Sequence, residues 1–507
     1  MKLKNVFNAM LLAAAVLTFQ ACSDNDDTGG SKSQNDFTSP GTIITLSHDG
    51  ETVSSLDLSM GELASYMISV NADGAWTASV PATDTTWVHI TPHEGYGWAV
   101  TDTTVTNTKA YVKLSVDYNE GEERTSAITF ATGSLTAVLN IKQKGRGTSD
   151  DPIESVWDMV GKLNLGYNLG NTLDANPYGD WWDPDTKTVN DWETSWGQPT
   201  TSQEIIDGLA AKGINIIRIP VTWYPHMDAD DNVKEEWMAR VEEVVNYVLN
   251  AGCYCILNVQ HDTGAGNGRT DGGAWLYADM DAYPTQTVRY QKLWKQIAER
   301  FRDYDEKLIF ESFNEILNKD YSWTAPSAGD QAYEAINKLQ QDFVNTVRAT
   351  GGNNQYRNLA VTTYSATGTN DAAINAFQCP TDVVSNHIYL SIHSYDPYNF
   401  CNNNAGKNDD GSEYDYNIKI FDDDCKAYID GVFSRVSKRA TEAGIPFIFG
   451  EFGAIDEEKS MTERVKYATY LRQKFNDYKT SGLWWMGLFD RKTLTWYEED
   501  IVNALLK

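Results

Sequence analysis

The chain of 507 residues is poor in cysteine, histidine and positive charge, and each shortage narrows what it can be. Beyond Cys22, the cysteines are Cys253, Cys255, Cys379, Cys401 and Cys425, irregularly spaced and without a CxxC pair. That argues against the disulfide framework of small secreted domains, although a Cys401–Cys425 bridge stays open. Cys253 and Cys255 fall two apart on an expected strand, share a face, and read as small apolar packing groups. The seven histidines show no metal-ligand spacing, so neither a metal nor another cofactor is expected. No GxGxxG opens a helix after the first strand-like run, which weakens a doubly wound dinucleotide-binding sheet. Lys plus Arg number 41 against 71 Asp plus Glu, a formal charge of −30. Such a surface repels phosphates and anionic lipid, which argues against a nucleic-acid partner. Past the N-terminus no apolar run reaches the roughly 18 residues needed to cross a bilayer.

What the chain has in quantity is aromatic residues, 12% of the total, with 16 Trp and 27 Tyr. Composition alone leaves two readings open: large aromatic cores, or platforms that stack on sugar rings. The N-terminus is a targeting segment. Lys2 and Lys4 form a basic start, Met10 to Phe19 is a short apolar run, and Ala21-Cys22 is followed by Ser23-Asp24-Asn25-Asp26-Asp27. This resembles a bacterial lipoprotein signal with Cys22 as the lipidated residue, and the acidic tract resembles the surface-export tag of Bacteroidetes lipoproteins. The resemblance implies an outer-membrane lipoprotein at the cell surface, touching the membrane only through that lipid. Without the lipid, the chain would be periplasmic or secreted.

Five segments follow from the patterning: a signal peptide 1–21, a Ser/Asp/Gly-rich tether 22–40, a β-rich module 41–145, a linker 146–157 and a catalytic region 158–507. The β-rich module shows short alternating runs such as Ala110–Val116, Ala127–Phe130 and Ala137–Ile141, separated by turn residues. That pattern predicts a small all-β, immunoglobulin-like sandwich. Trp76, Trp87, the Arg124–Phe130 run and the Leu139–Gly145 end resemble a BACON domain, which acts either as a glycan binder or as a spacer. In the catalytic region eight apolar runs read as strands: Leu163–Leu169, Ile214–Val221, Cys253–Val259, Leu308–Phe313, Leu359–Tyr364, Ile388–Ile392, Pro446–Phe452 and Leu483–Phe489. Amphipathic segments lie between several of them, at Val233–Asn250 and Gln331–Arg348. Eight β–α repeats in about 350 residues predict an α/β fold, a (β/α)8 TIM barrel.

Catalytic groups of such barrels lie at the C-terminal ends of the strands. The expected strand ends carry Asn168, Arg218, Gln260-His261, Asn314-Glu315, His393 with Tyr395, Glu451, and Trp484-Trp485. Glu315 and Glu451 then face each other across the barrel mouth. Two carboxyl groups on either side of an anomeric carbon are what glycosidic cleavage needs, one protonated and the other ionised. Arg218 and the Tyr395 hydroxyl can each donate to Glu451 and hold it ionised. Asn314 can meet the sugar 2-hydroxyl, and His393 can hold Glu315 or relay its proton.

The motifs Gly166–Asp174, Arg218–Trp223, Phe310–Glu315, His393–Phe400 and Gly450–Ala454, in that order, resemble glycoside hydrolase family 5. Glu193–Gly197 and Gly273–Leu276 resemble its branch of endo-β-1,4-glucanases and xyloglucanases. The resemblance implies net retention, no required metal, Glu315 as acid/base and Glu451 as nucleophile, with carboxyls about 5–5.5 Å apart. The strand ends, the neighbouring loops and the resemblance together give a candidate substrate-binding set of Arg218, Asn314, His393, Tyr395, Trp485, Gln260, His261, Asn168, His226 and Trp196, with His226 equally readable as a surface histidine and Trp196 as a loop anchor. Gln260 stands where the family usually has histidine. Met486 follows the tryptophan pair where this branch commonly has aspartate, so either tryptophan can be the stacking platform. The expected activity is endo-acting hydrolysis of a plant β-1,4-glucan by a monomer. A mannanase or xylanase on the same barrel, or a non-catalytic surface glycan binder, are the alternatives.

Overall fold

The computed structural model describes residues 39–48, 50–58, 66–95, 111–117, 119, 122–143, 153–177, 181–263, 274–407, 412–456 and 459–507. Cys22, with the signal and tether, lies outside the described residues. Among the described residues no helix is long and apolar enough to cross a membrane.

Among the described residues between 44 and 143, ten strands form two five-stranded sheets. Their longest pairing is the antiparallel hairpin Arg124–Thr132 with Leu135–Gln143. Alternate residues of these strands point inward and meet as one apolar cluster that includes Ile68, Trp76, Val112, Leu114, Phe130 and Leu139. The period-two pattern of the sequence is therefore the pattern of burial.

The rest of the chain closes a barrel of eight parallel strands: β1 Leu165–Asn168, β2 Ile214–Ile219, β3 Tyr254–Asn258, β4 Leu308–Glu311, β5 Leu359–Thr367, β6 Ile388–Ser394, β7 Phe447–Phe452 and β8 Gly482–Trp485. All eight fall on the eight expected runs. They were legible because a parallel strand covered on both faces reads as a continuous apolar run. The helices outside follow from amphipathic spacing. α1, Glu235–Asn250, buries Trp237, Val241, Val244, Val245 and Val248 on one stripe. α2, Gln331–Ala349, starts where the Asp330 carboxylate accepts the Ala332 N–H. α3, Asp423–Ala443, ends on Gly444 in the left-handed conformation. A short helix at Val156–Lys162 packs Val156, Met159 and Val160 with Ile216, Ile256, Ile309 and Ile448, sealing the barrel interior from below. Cys401 and Cys425 are both free and buried. The bridge left open above is not formed; instead Cys401 Sγ donates to Asp396 O at 3.4 Å and Cys425 Sγ to Ile420 O at 3.9 Å.

Candidate active site

Register sets the site. Asn168 pairs with both Arg218 and Trp485, and His393 pairs with Glu451, so these side chains leave neighbouring strands at one level of the barrel mouth. Glu315 follows β4 in a loop with two anchors. The Asn314 N–H donates to Val259 O at 2.8 Å, and the Ser365 N–H donates to Ile316 O at 2.9 Å. Ser365 and Ala366 adopt positive φ in an irregular stretch of β5 that brings this N–H into reach.

Arg218 is wholly buried at the centre. Its Nε donates to Glu311 Oε2 at 2.5 Å, and its Nη1 to Glu451 Oε1 at 2.7 Å and Asn168 Oδ1 at 3.0 Å. Nη2 donates to Asn314 Oδ1 at 3.0 Å. Tyr395 Oη donates to the other Glu451 oxygen at 2.8 Å. His393 Nδ1 lies 2.8 Å from Glu315 Oε1 and 3.6 Å from Glu451 Oε2. One oxygen of each glutamate and a ring nitrogen of His393 all fall within 4.8 Å of one another.

The two carboxyls are pushed in opposite directions. Burial raises Glu315, and the neighbouring Glu451 charge adds to it, against the opposing pull of His393 and Arg218. Burial also works to raise Glu451, but the positive charges of His393 and Arg218 and the hydrogen bonds from Tyr395 and Arg218 hold it below the ordinary carboxylate value. His393 is lowered by burial and raised more strongly by the two carboxylates, for a net rise. The site thus holds one carboxyl biased toward its acid form within hydrogen-bonding range of a histidine, and one biased toward its ionised form beneath a cation. Glu315, His393 and Glu451 are the one group of potential metal ligands within mutual reach among the described residues. The Arg218 guanidinium already stands against Glu451 with the charge a metal would bring, so the trio suits proton chemistry better than ion binding.

The other expected site residues divide. Trp485 is half-buried, with its ring against Gly170, where a Cβ would lie 2.9 Å from the indole. Trp484 is buried against Phe452. Of the pair, Trp485 is the one open to a ligand. Gln260 is buried and its Oε1 accepts from Asn258 Nδ2 at 2.6 Å, so any donation to a sugar comes from its nitrogen. His261 is partly exposed, 3.8 Å from Asp174 and edge-on to the exposed Trp196. Trp275 is anchored by donating Nε1 to Asp262 Oδ1 at 2.6 Å.

Three expectations are corrected. Asn168 is enclosed and touches no ligand space. Its Nδ2 donates to Gly450 O at 2.9 Å and Leu483 O at 3.2 Å, while its oxygen orients Arg218. Arg218 has no exposed surface and acts through Glu451 rather than on substrate. His226 is a core residue: it stacks on Trp237 at 3.4 Å, stands edge-on to Trp192, and burial drives it well below its ordinary pKa. Sequence reasoning passed over Glu311, which receives Arg218 and the Ser391 hydroxyl. The available signal was a lone charge ending an apolar run.

The cellulase family, glycosyl hydrolase family 5, matches residues 182–487. Endoglucanase A of Ruminococcus albus is 32% identical over 369 residues, covering 70% of this chain and 92% of that protein. The xyloglucan-specific endo-beta-1,4-glucanase BoGH5A of Bacteroides ovatus is 31% identical over 454 residues, covering 83% of this chain and 85% of that one. Among solved structures, PbGH5A of Prevotella bryantii B14, a glycoside hydrolase family 5 enzyme, is similar at a TM-score of 0.63 with 40% identity, covering 71% of this chain and 99% of that chain. A mutant of it in complex with a xyloglucan tetradecasaccharide is similar at 0.62 with 40% identity, covering 70% and 98%. With the barrel, the paired carboxyls and these relatives together, the chain belongs to glycosyl hydrolase family 5.

Proposed function

We infer that this chain is a retaining endo-β-1,4-glucan hydrolase acting on plant polysaccharide. The observation that carries the reading is the pair of close carboxyls at the barrel mouth with opposite electrostatic bias. Closeness favours double displacement, because an inverting pair needs roughly 6.5–9.5 Å to admit a water. In this reading Glu451 attacks the anomeric carbon while Glu315 protonates the leaving glycosidic oxygen. The breaking C–O bond leaves a glycosyl ester on Glu451. Glu315, now ionised, takes a proton from water, which attacks the same carbon and frees Glu451. Glu315 keeps 19% of its side-chain surface against 6% for Glu451, in accord with an acid that must meet departing saccharide and entering water. Asn314, its oxygen held by Arg218, is left with its amide N–H groups for the 2-hydroxyl. Trp485 supplies a stacking face, and Gln260, His261 and Trp196 are read as further substrate contacts.

We propose xyloglucan among the substrates, on the similarity to a xyloglucan-specific relative. Residues 41–145 are read as an immunoglobulin-like, BACON-like spacer, with tether 22–40, linker 146–157 and barrel 158–507. The similarity to the Bacteroides ovatus enzyme covers more of the chain than the barrel spans. Trp76 and Trp87 are buried, which favours a spacer over a stacking platform. Cys22 is read as the lipidated residue of a monomeric outer-membrane lipoprotein. The deciding experiment is hydrolysis of cellulose, xyloglucan, lichenan, xylan and mannan, with proton NMR of the first product. β-Glucan cleavage with the β-anomer appearing first is expected. Release of the α-anomer first, or no reducing ends from any β-glucan, refutes the reading.

A further inference from the structure

The barrel also carries a concavity that its catalytic chemistry does not use. It has a volume of about 670 Å³ and lies between the short helix Val156–Lys162, the helix Met461–Asp477 and Asp117, which follows the sandwich strand Tyr111–Val116. Leu163, Pro446 and Thr480 line it, and each stands one or two residues ahead of a barrel strand, β1, β7 and β8 respectively. The concavity is therefore on the underside, where the strands begin, opposite the face that holds Glu315 and Glu451. Its volume falls within the roughly 300–1,000 Å³ of small-ligand sites, and it lies where two modules meet, a place where such sites concentrate.

Three cations line it, Lys162, Arg472 and Lys479. Lys162 is paired with Glu154. Lys479 Nζ donates to Val116 O of the sandwich at 3.1 Å; burial lowers its pKa, with the Asp117 charge opposing. Both acids of the lining have other contacts: Asp117 stands 3.0 Å from His89 Nε2, and Asp158 accepts the Ser155 hydroxyl at 2.9 Å. Arg472 is the unmatched group. Among the described residues its buried Nε has no hydrogen-bond partner, and Nη1 reaches Asn164 O only at a long 3.4 Å. Burial lowers its guanidinium below the ordinary range, and no carboxylate among the described residues offsets the loss. A chain with 71 Asp and Glu against 41 Lys and Arg has acids in excess, yet none is placed on this cation. A partly buried charge left so costs stability that a bound anion would recover. The guanidinium is a planar fork that matches two oxygens of one anion. Asn476, one helical turn further along, adds its amide on the same side.

We propose that this underside concavity is a binding site for a small oxyanion, a phosphate or carboxylate group held by Arg472 with Lys479 beside it. A free anion and the uronate group of an acidic sugar present the same chemistry to the guanidinium. The site is separate from the catalytic pair and acts whatever backbone the barrel mouth cleaves.

The test is isothermal titration of the full chain with inorganic phosphate and, separately, with glucuronate at constant ionic strength. Saturable binding is expected with half-saturation on the order of 1 mM, as suits one forked ion pair in a partly open site. Tighter binding of glucuronate would assign the site to an acidic sugar, and tighter binding of phosphate to a free oxyanion. Arg472→Gln is expected to weaken binding about tenfold and Lys479→Gln about threefold, with hydrolysis of β-glucan unchanged in both. No saturable binding of either anion, or binding by Arg472→Gln as tight as by the natural chain, overturns the proposal. Should Arg472→Gln fail to fold, Lys479→Gln decides, and an unchanged affinity there overturns it equally. A natural chain that binds the anions but cuts no β-glucan would refute the proposed hydrolase activity and leave this site standing.

Discussion

Replacing Arg218 with methionine is the most direct probe of how the site is charged. Arg218 is the single cation in contact with both Glu311 and Glu451, and all three are buried. At about 4 Å and an effective dielectric of about 20, one such attraction is worth roughly 4 kcal/mol. Removing it would raise the Glu451 pKa, because that charge and its hydrogen bond help hold the carboxyl down, and an arginine neighbour typically shifts a carboxyl by about 1–3 units. Glu451 must be ionised to attack, so activity falls as pH drops through its pKa. The present lowered value sets the acid limb at low pH, and the methionine variant should move that limb up by about 1–3 units. Lysine keeps the charge but cannot span four acceptors with the same geometry, so its shift should be smaller. Loss of the shared cation should also cost about 3–5 kcal/mol of stability. The measurements are pH profiles of kcat/KM with chemical denaturation alongside. A variant that keeps its native circular dichroism and an unmoved acid limb would refute the assignment of Arg218 as the group that holds Glu451 ionised.

Three further outcomes are expected. His393→Gln removes a charge and a hydrogen bond that hold Glu315 and Glu451 down, so both limbs of the pH profile should move upward, with kcat falling about 10²-fold through misplacement of the acid; limbs that move in opposite directions would contradict this. Trp484→Ala should cost about 3–5 kcal/mol as a core truncation, whereas Trp485→Ala should leave denaturation nearly unchanged and raise KM about two- to tenfold; the reverse assignment would show as the reverse pattern. His226→Phe should leave kcat/KM in place and stabilise the fold by about 1 kcal/mol, since His226 Nε2 is buried without a partner. The sign with pH is definite: a histidine held neutral loses stability as pH falls below about 6.5, the value it regains on unfolding. The advantage of phenylalanine should therefore widen from pH 7 to pH 5.

The barrel was legible because its strands are apolar throughout and its helices keep one apolar stripe, both properties of residue order alone. The carboxyl pair was legible because strand ends point to one face. What residue order does not carry is the direction of a polar side chain at a strand end. Asn168 and Trp485 share a register position, yet Asn168 turns into the barrel wall to satisfy carbonyls while Trp485 reaches the opening. His226 was misread for a related reason. It follows Tyr224-Pro225 in a segment that looks solvent-facing, and its cover comes from Trp192 and Trp237, one upstream and one downstream. Glu311 was passed over because a charge ending an apolar run is costly to bury, and its compensation, Arg218, lies 93 residues away in the chain.

Glu311 also bears on the charge balance beneath the site. Arg218 answers one negative charge, but it faces two carboxylates, Glu311 and Glu451. The buried cluster is therefore one charge short, and the shortfall is felt by the neighbouring Glu315–His393 pair. With one shared proton that pair is neutral and the cluster stays negative. With a second proton the pair carries +1 and the cluster is balanced. A buried site favours the balanced state, in keeping with the upward shifts of both Glu315 and His393. Burial of Glu315 and the charge of Glu451 thus keep the proton donor loaded, and because Glu311 shares Arg218 with Glu451, the barrel layer beneath the site bears on its chemistry together with the residues at its surface.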